Sequence, residues 1–197
     1  MIAGQGGKIA GGNPSRGRVE NDFYATHADS TKALMGKEIF EGTIWECACG
    51  DGAMSKILEQ YYPGNVISSD LIDRGYGKVG IDFLKTNNRD AGYPLYDNII
   101  TNPPFNLFQE FLQKALYEAN KKVAFFGKLQ ALEGQKRATF LQGTPLRRVW
   151  VFKKRQQPMR NGKSNDEITG KNMSSTMAFA WFIFVKGYIG KPEIEWL

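Results

Sequence analysis

Thr43-Ile44-Trp45-Glu46-Cys47-Ala48-Cys49-Gly50-Asp51-Gly52 is the stretch whose reading decides the fold. The apolar run Gly42–Glu46 predicts a buried strand, and the segment from Gly52 to Tyr62 predicts a helix with Met54, Ile57 and Leu58 on one face. Glycines between a strand and a helix let a ligand approach the backbone closely, and the first helical turn offers N–H groups that have no partner inside the helix. Asn65-Val66-Ile67-Ser68-Ser69 predicts the next strand, which ends at Asp70. Asp70 stands 20 residues after Gly50, where an acid accepts from ribose hydroxyls in doubly wound folds. A helix cap or turn is the other role open to it. A lone Gly-x-Gly is a weak signal; its place between these two strands gives it weight.

Outward from this unit, strand and helix signals keep alternating. Asp97–Thr101 reads as a strand, Leu107–Leu116 as a helix, Val123–Phe126 as a strand and Ala131–Leu141 as a helix. Arg148–Phe152 and Met177–Val185 are strands that follow one another directly. This order predicts an α/β chain with a mainly parallel sheet, helices on both faces and an antiparallel C-terminal edge. Residues 1–20 are glycine-rich and aperiodic, which predicts a flexible leader before a single domain over 21–197.

Asn102-Pro103-Pro104-Phe105 lies between the predicted Asp97–Thr101 strand and its helix. Two prolines fix backbone torsions and remove two N–H donors. Carbonyl groups are left beside an amide side chain and an aromatic ring, a set suited to holding a planar group that carries an NH2.

Composition narrows the chemistry. The longest apolar segment, Met177–Val185, is nine residues and too short to cross a bilayer, and the N-terminus has no hydrophobic region of a secretory signal. Cys47 and Cys49 are too close for an unstrained disulfide, so they read as free thiols in a reducing, cytoplasmic compartment. One histidine and two cysteines make a poor ligand set, so no metal is expected. The net charge of +6 is unevenly spread: Lys121–Lys163 holds twelve Lys/Arg and one acid, Glu133, a local net of +11. Such a basic block is the footprint of a polyanion binder, with a solvated lysine-rich surface as the alternative.

Three segments carry a family resemblance. Asn102–Phe105 resembles the [Asn/Asp/Ser]-Pro-Pro-[Tyr/Phe/Trp] signature of S-adenosylmethionine-dependent amino-methyltransferases. Glu46-x-Ala48-x-Gly50-x-Gly52 resembles the Glu-Pro-x-x-Gly-x-Gly signature of class I methyltransferases, with Cys47 in place of proline. Asp22-Phe23-Tyr24-Ala25-Thr26 is similar to the Asp-x-Tyr-x-Thr-Pro segment of the amino-methyltransferases, with His27 in place of proline. A stray aromatic cluster is the other reading of Phe23 and Tyr24.

The resemblance implies a Rossmann-like, seven-stranded fold that binds S-adenosylmethionine. It implies that Gly50 and Gly52 pass under the methionine portion, Glu46 sits near its amino group and Ala48 lies on the same turn. By it, Asp70 takes the ribose, Asp82 and Phe83 flank the adenine, and Phe23–Thr26 closes over the cofactor. Asn102 and the Pro103 carbonyl would accept the two hydrogens of an adenine 6-amino group, with Pro104 shaping the turn and Phe105 stacking on the flipped base. Lys128–Arg137, Lys153-Lys154-Arg155 and Ala180-Trp181-Phe182 resemble small phage- and prophage-type adenine-specific DNA methyltransferases. That implies a DNA partner, with Lys136, Arg137, Lys153, Lys154 and Arg155 facing phosphate. Only 50 residues separate Gly52 from Asn102, so no separate target-recognition domain is expected there. Sequence reading then falls to a mobile Gln156–Ser175 loop, to a partner, or to neither if that loop is a plain connector. Asparagine at the head of the motif keeps RNA adenine open as a substrate. A non-catalytic module that binds cofactor and nucleic acid is the remaining alternative.

Overall fold

The computed structural model describes residues 23–87, 95–156, 159–160 and 177–197. The predicted leader and most of the Gln156–Ser175 loop lie outside these residues. The strand–helix alternation is realised as a seven-stranded sheet. Its first half holds β2 (Ile44–Glu46), α2 (Ser55–Tyr61), β3 (Val66–Ser68), β4 (Asn98–Thr101), α3 (Phe108–Glu118) and β5 (Lys122–Lys128). Its second half holds α4 (Gln135–Gln142), β6 (Leu146–Val151), β8 (Phe179–Val185) and β9 (Glu193–Trp196). Ahead of them come β1 (Tyr24–Ala25) and α1 (Ala28–Met35), and β7 (Met159–Arg160) lies between β6 and β8.

The sheet runs β3-β2-β4-β5-β8-β6-β9. β2 pairs parallel with β3 and β4, and β4 pairs parallel with β5. β8 runs antiparallel to both β5 and β6, as expected of the two strands that follow one another in sequence. The mainly parallel, seven-stranded architecture with an antiparallel C-terminal part is therefore the observed one. β9 is an addition at the edge, parallel to β6.

Period-two patterning splits the core into two layers. Trp45, Ile99, Val123, Phe125 and Phe182 face Phe111, Leu112 and Ala115 of α3. Their sequence neighbours Ile44, Ile100, Ala124, Phe126 and Trp181 face Leu34 and Met35 of α1 and Leu58 of α2. β8 is apolar at nearly every position because both of its faces are covered. Among the described residues, no helix is long and apolar enough to cross a membrane.

Two features were not expected. α1 buries Ser30 and Thr31 as well as Leu34 and Met35. His27 caps it, its Nδ1 accepting the Asp29 N–H at 3.2 Å. The His27 φ of −61° is one a proline also adopts. Separately, β1 and β7 form an antiparallel ribbon with Tyr24 opposite Arg160 and Ala25 opposite Met159.

Candidate active site

The C-terminal ends of β2, β3 and β4 open onto a cavity of about 620 Å³, a size that accepts a nucleoside-like ligand. Phe23, Tyr24, Ala25, Thr26, Glu46, Ala48, Asp70, Asp82, Phe83, Asn102 and Pro104 all line it. Three stretches far apart in sequence are thus brought to one place. Gly50 and Gly52 form the turn between lining residues, with φ of 56° and 80° that side chains rarely adopt. A Cβ added to Gly50 would run into the Phe23 ring, and one added to Gly52 into the Tyr76 ring. Glycine is required here for torsion and for space.

Each acid has a defined environment. Asp70, 7% exposed, accepts the Gly50 N–H on Oδ2 and the Ile72 N–H on Oδ1, both at 2.8 Å. It therefore ties the end of β3 to the glycine turn. Asp82 Oδ1 accepts the Leu84 N–H at 3.1 Å, and Lys85 reaches its other oxygen at 3.0 Å. Phe83 is 2% exposed and meets Trp45 and Phe111 at ring separations of 5.2 and 5.1 Å, so it is a core residue that forms the cavity wall. Glu46 is buried and accepts a hydrogen bond from the Ser55 hydroxyl, which in turn lies 2.6 Å from the Ser68 hydroxyl. Burial pushes the Glu46 carboxyl well above the usual range, against the opposing pull of Ser55, and Asp70 and Asp51 add to the rise. Burial likewise pushes Cys49 up to about 12 and Cys47 well upward, so neither is a thiolate at neutral pH.

Asn102 has the most telling geometry. Its Nδ2 donates to the Tyr24 carbonyl at 2.8 Å and to Thr26 Oγ1 at 3.0 Å. A carbonyl only accepts, so the NH2 end of the amide must face Tyr24. Oδ1 is buried and has no hydrogen-bond partner among the described residues. A buried orphan acceptor is costly and calls for an explanation. Asn102 lines both the large cavity and a smaller crevice, and its Oδ1 lies beneath their surface.

Phe105 is packed among aromatic side chains. Its ring packs on Tyr24 at 5.6 Å and Phe179 at 6.0 Å, with the Lys128 ammonium 4.4 Å from its centroid. It does not line the large cavity but a small crevice shared with Thr26, Asn102 and Gln156. Pro103 is buried behind the motif, while Pro104 accepts the Leu107 N–H at 2.9 Å and starts the turn into α3.

No family model matches the sequence, and no curated protein matches it. Solved structures do match. A provisionally assigned RNA methyltransferase from Pyrococcus horikoshii aligns with a TM-score of 0.60 at 17% identity, over 86% of this chain and 89% of that one. The methyltransferase subunit of a type I restriction-modification system from Streptococcus thermophilus gives 0.56 at 11% identity, over 83% of this chain and 45% of that one. Magnesium protoporphyrin IX methyltransferase from Synechocystis PCC 6803, solved with bound SAH, gives 0.52 at 13% identity, over 81% of each chain. The fold is that of the class I methyltransferases. The chain spans less than half of the Streptococcus subunit, and the three proteins named differ in substrate, so the likeness is one of fold.

Within this methyltransferase fold the cavity suits S-adenosylmethionine on its own features. A positive-φ glycine turn, an acid at the end of β3 and a second at Asp82 surround it, and Asn102 is part of the lining. The basic residues sit as follows. Lys136 is exposed on α4, and the Arg137 Nε donates to the Glu133 carbonyl at 2.6 Å. Lys153, Lys154 and Arg155 are exposed on the turn after β6. That turn leads directly into Gln156, whose Oε1 accepts from the Ser30 hydroxyl at 2.7 Å beside the Asn102 crevice. Sequence reasoning missed Arg74, which lines the cavity, pairs with Asp70 at 3.2 Å and lies 4.4 Å from the Phe23 ring centroid. Only its spacing of four from Asp70 hinted at the ion pair.

Proposed function

We propose that this protein transfers a methyl group from S-adenosylmethionine to the exocyclic 6-amino group of adenine in DNA, and that it works in the cytoplasm. The observation that carries the reading is the buried Oδ1 of Asn102, without a partner among the described residues, on a residue that lines the cavity. The cofactor supplies an electrophilic methyl group on a sulfonium. An adenine amine is a poor nucleophile because its lone pair is delocalised into the ring. Asn102 Oδ1 and the Pro103 carbonyl accept its two hydrogens and draw the nitrogen toward tetrahedral geometry, which aims the lone pair at the methyl carbon. With the cofactor bound, the new nitrogen–carbon bond would replace its carbon–sulfur bond, leaving a neutral thioether, and water would take one amine proton.

No general base is asked of the chain. This agrees with cysteines held protonated and a single histidine that caps α1. Glu46 holds the cofactor ammonium, Asp70 the ribose, and Asp82 with Phe83 the adenine. Phe105 stacks on the flipped base after a change of partner from its present packing. Lys136, Arg137, Lys153, Lys154 and Arg155 supply phosphate contacts, and the basic Lys121–Lys163 block supports nucleic acid over protein as substrate. RNA adenine is the second reading, favoured by asparagine at position 102.

Tritiated S-adenosylmethionine, offered with unmethylated DNA, with RNA and with protein, tests the proposal. Label recovered as N6-methyldeoxyadenosine is the expected result. Label in RNA alone shifts the substrate, and no label in any polymer despite cofactor binding leaves the non-catalytic module.

A further inference from the structure

The charges around the cavity are lopsided. Among the described lining residues Glu46, Asp51, Asp70 and Asp82 are acids, and Arg74 is the one cation. The cofactor proposed above carries a sulfonium, an ammonium and one carboxylate. The acids suit the first two, and the third needs a strong donor.

Arg74 is placed to be that donor. Its Nη1 spends one bond on Asp70 Oδ1, at 3.2 Å, out of the five N–H groups a guanidinium offers. Its Cζ lies 4.4 Å from the Phe23 ring centroid. Phe23 in turn rests on Gly50, the turn that the resemblance puts under the methionine portion. Asp70 Oδ1 already serves two donors, the Ile72 N–H and Arg74. A ribose hydroxyl directed at Oδ1 would compete with the arginine, because the Ile72 N–H is fixed by the chain.

We infer that Arg74 binds the α-carboxylate of S-adenosylmethionine, exchanging Asp70 for the cofactor when the ribose takes its place. The step rests on the cofactor reading given above. It is an exchange of ion pairs with no bond made or broken. The Asp70–Arg74 pair holds the guanidinium close to the cavity before binding, and a guanidinium meets a carboxylate with two parallel N–H bonds. Phe23 keeps the plane of the guanidinium oriented throughout.

Calorimetric titration of the wild type and of Arg74→Gln with S-adenosylmethionine and with its decarboxylated analogue tests this. The pair of ligands separates the carboxylate from the general charge of the cavity, as in a double-mutant cycle. In the wild type the carboxylate contributes on the order of 10–100-fold to affinity, as hydrogen bonds to charged groups do. The expected result is that Arg74→Gln weakens S-adenosylmethionine by that factor and leaves the analogue unchanged. Arg74→Lys should keep part of the preference, since it retains the charge without the fork. Equal weakening of both ligands in Arg74→Gln, with Arg74→Lys behaving the same way, would overturn the inference and leave Arg74 as a support for Asp70. Failure of both ligands to bind the wild type would overturn the cofactor reading itself.

Discussion

At Asn102 the amide carries two duties that a carboxylate cannot combine. Nδ2 holds the Tyr24 carbonyl and Thr26, and Oδ1 is left without a partner among the described residues. An aspartate would set an oxygen against the Tyr24 carbonyl. Asn102→Asp is therefore expected to lower kcat by about 10²–10³, the usual effect of losing one oriented donor or acceptor, although the related signature tolerates aspartate. Single-turnover methyl transfer measures it. Glu46 gives a pH prediction. Its raised folded pKa means that, above the ordinary value of 4.5, the unfolded chain binds fewer protons than the folded one. Apo stability from this group therefore falls as pH rises above 4.5, until the folded pKa is passed. Cofactor affinity runs the other way, because an ammonium prefers the ionised carboxyl, and should climb with pH across the same window. Glu46→Gln is expected to flatten both profiles in melting and calorimetric series. Gly50, Gly52 and Asp70 were legible because their spacing fixes backbone geometry. The direction of the Phe105 ring was not, since Tyr24 and Phe179, which hold it, are 81 and 74 residues away in sequence.

The elements that escaped sequence reading are those with little hydrophobic signature. α1 has Asp29, Ser30, Thr31 and Lys32 in its first turns and buries two hydroxyl residues, so no apolar stripe announces it. β9 alternates correctly, but leaves Ile194 57% and Trp196 54% exposed at the sheet edge, so its pattern marks no core face. The β1–β7 ribbon joins residues 134 and 136 positions apart, which no local pattern reveals. Strands β2, β4, β5 and β8 were readable because burial on both faces demands continuous apolar runs. The His27 cap carries a prediction for α1. His27→Ala removes the acceptor for the Asp29 N–H and is expected to cost about 1 kcal/mol in chemical denaturation, a typical N-cap loss. No measurable loss would mean that the first turn of α1 is held by the ribbon alone.

Across the molecule, charge and fold divide the work. The neutral-to-acidic cavity lies at the ends of β2–β4, and the basic residues follow β5 and β6. If Lys153 and Arg155 each meet a phosphate, replacing both with alanine should reduce the salt slope of DNA binding by about two. An unchanged slope would remove them from the interface. The fold itself was legible in the sequence, because the order of strands, helices and glycine turn admits few topologies. The substrate was not, because solved proteins of this fold include both an RNA methyltransferase assignment and a porphyrin methyltransferase. What joins the three scales is the free oxygen of Asn102, and one measurement examines it most directly. Methyl transfer to DNA and cofactor affinity are measured side by side for the wild type and Asn102→Ala. The account predicts that transfer is abolished while cofactor affinity stays within about threefold, since Glu46, Asp70, Asp82 and Phe83 are unchanged and β1 keeps its pairing with β7 when the Asn102 amide is lost. Parallel loss of both, or transfer that persists in Asn102→Ala, would contradict it.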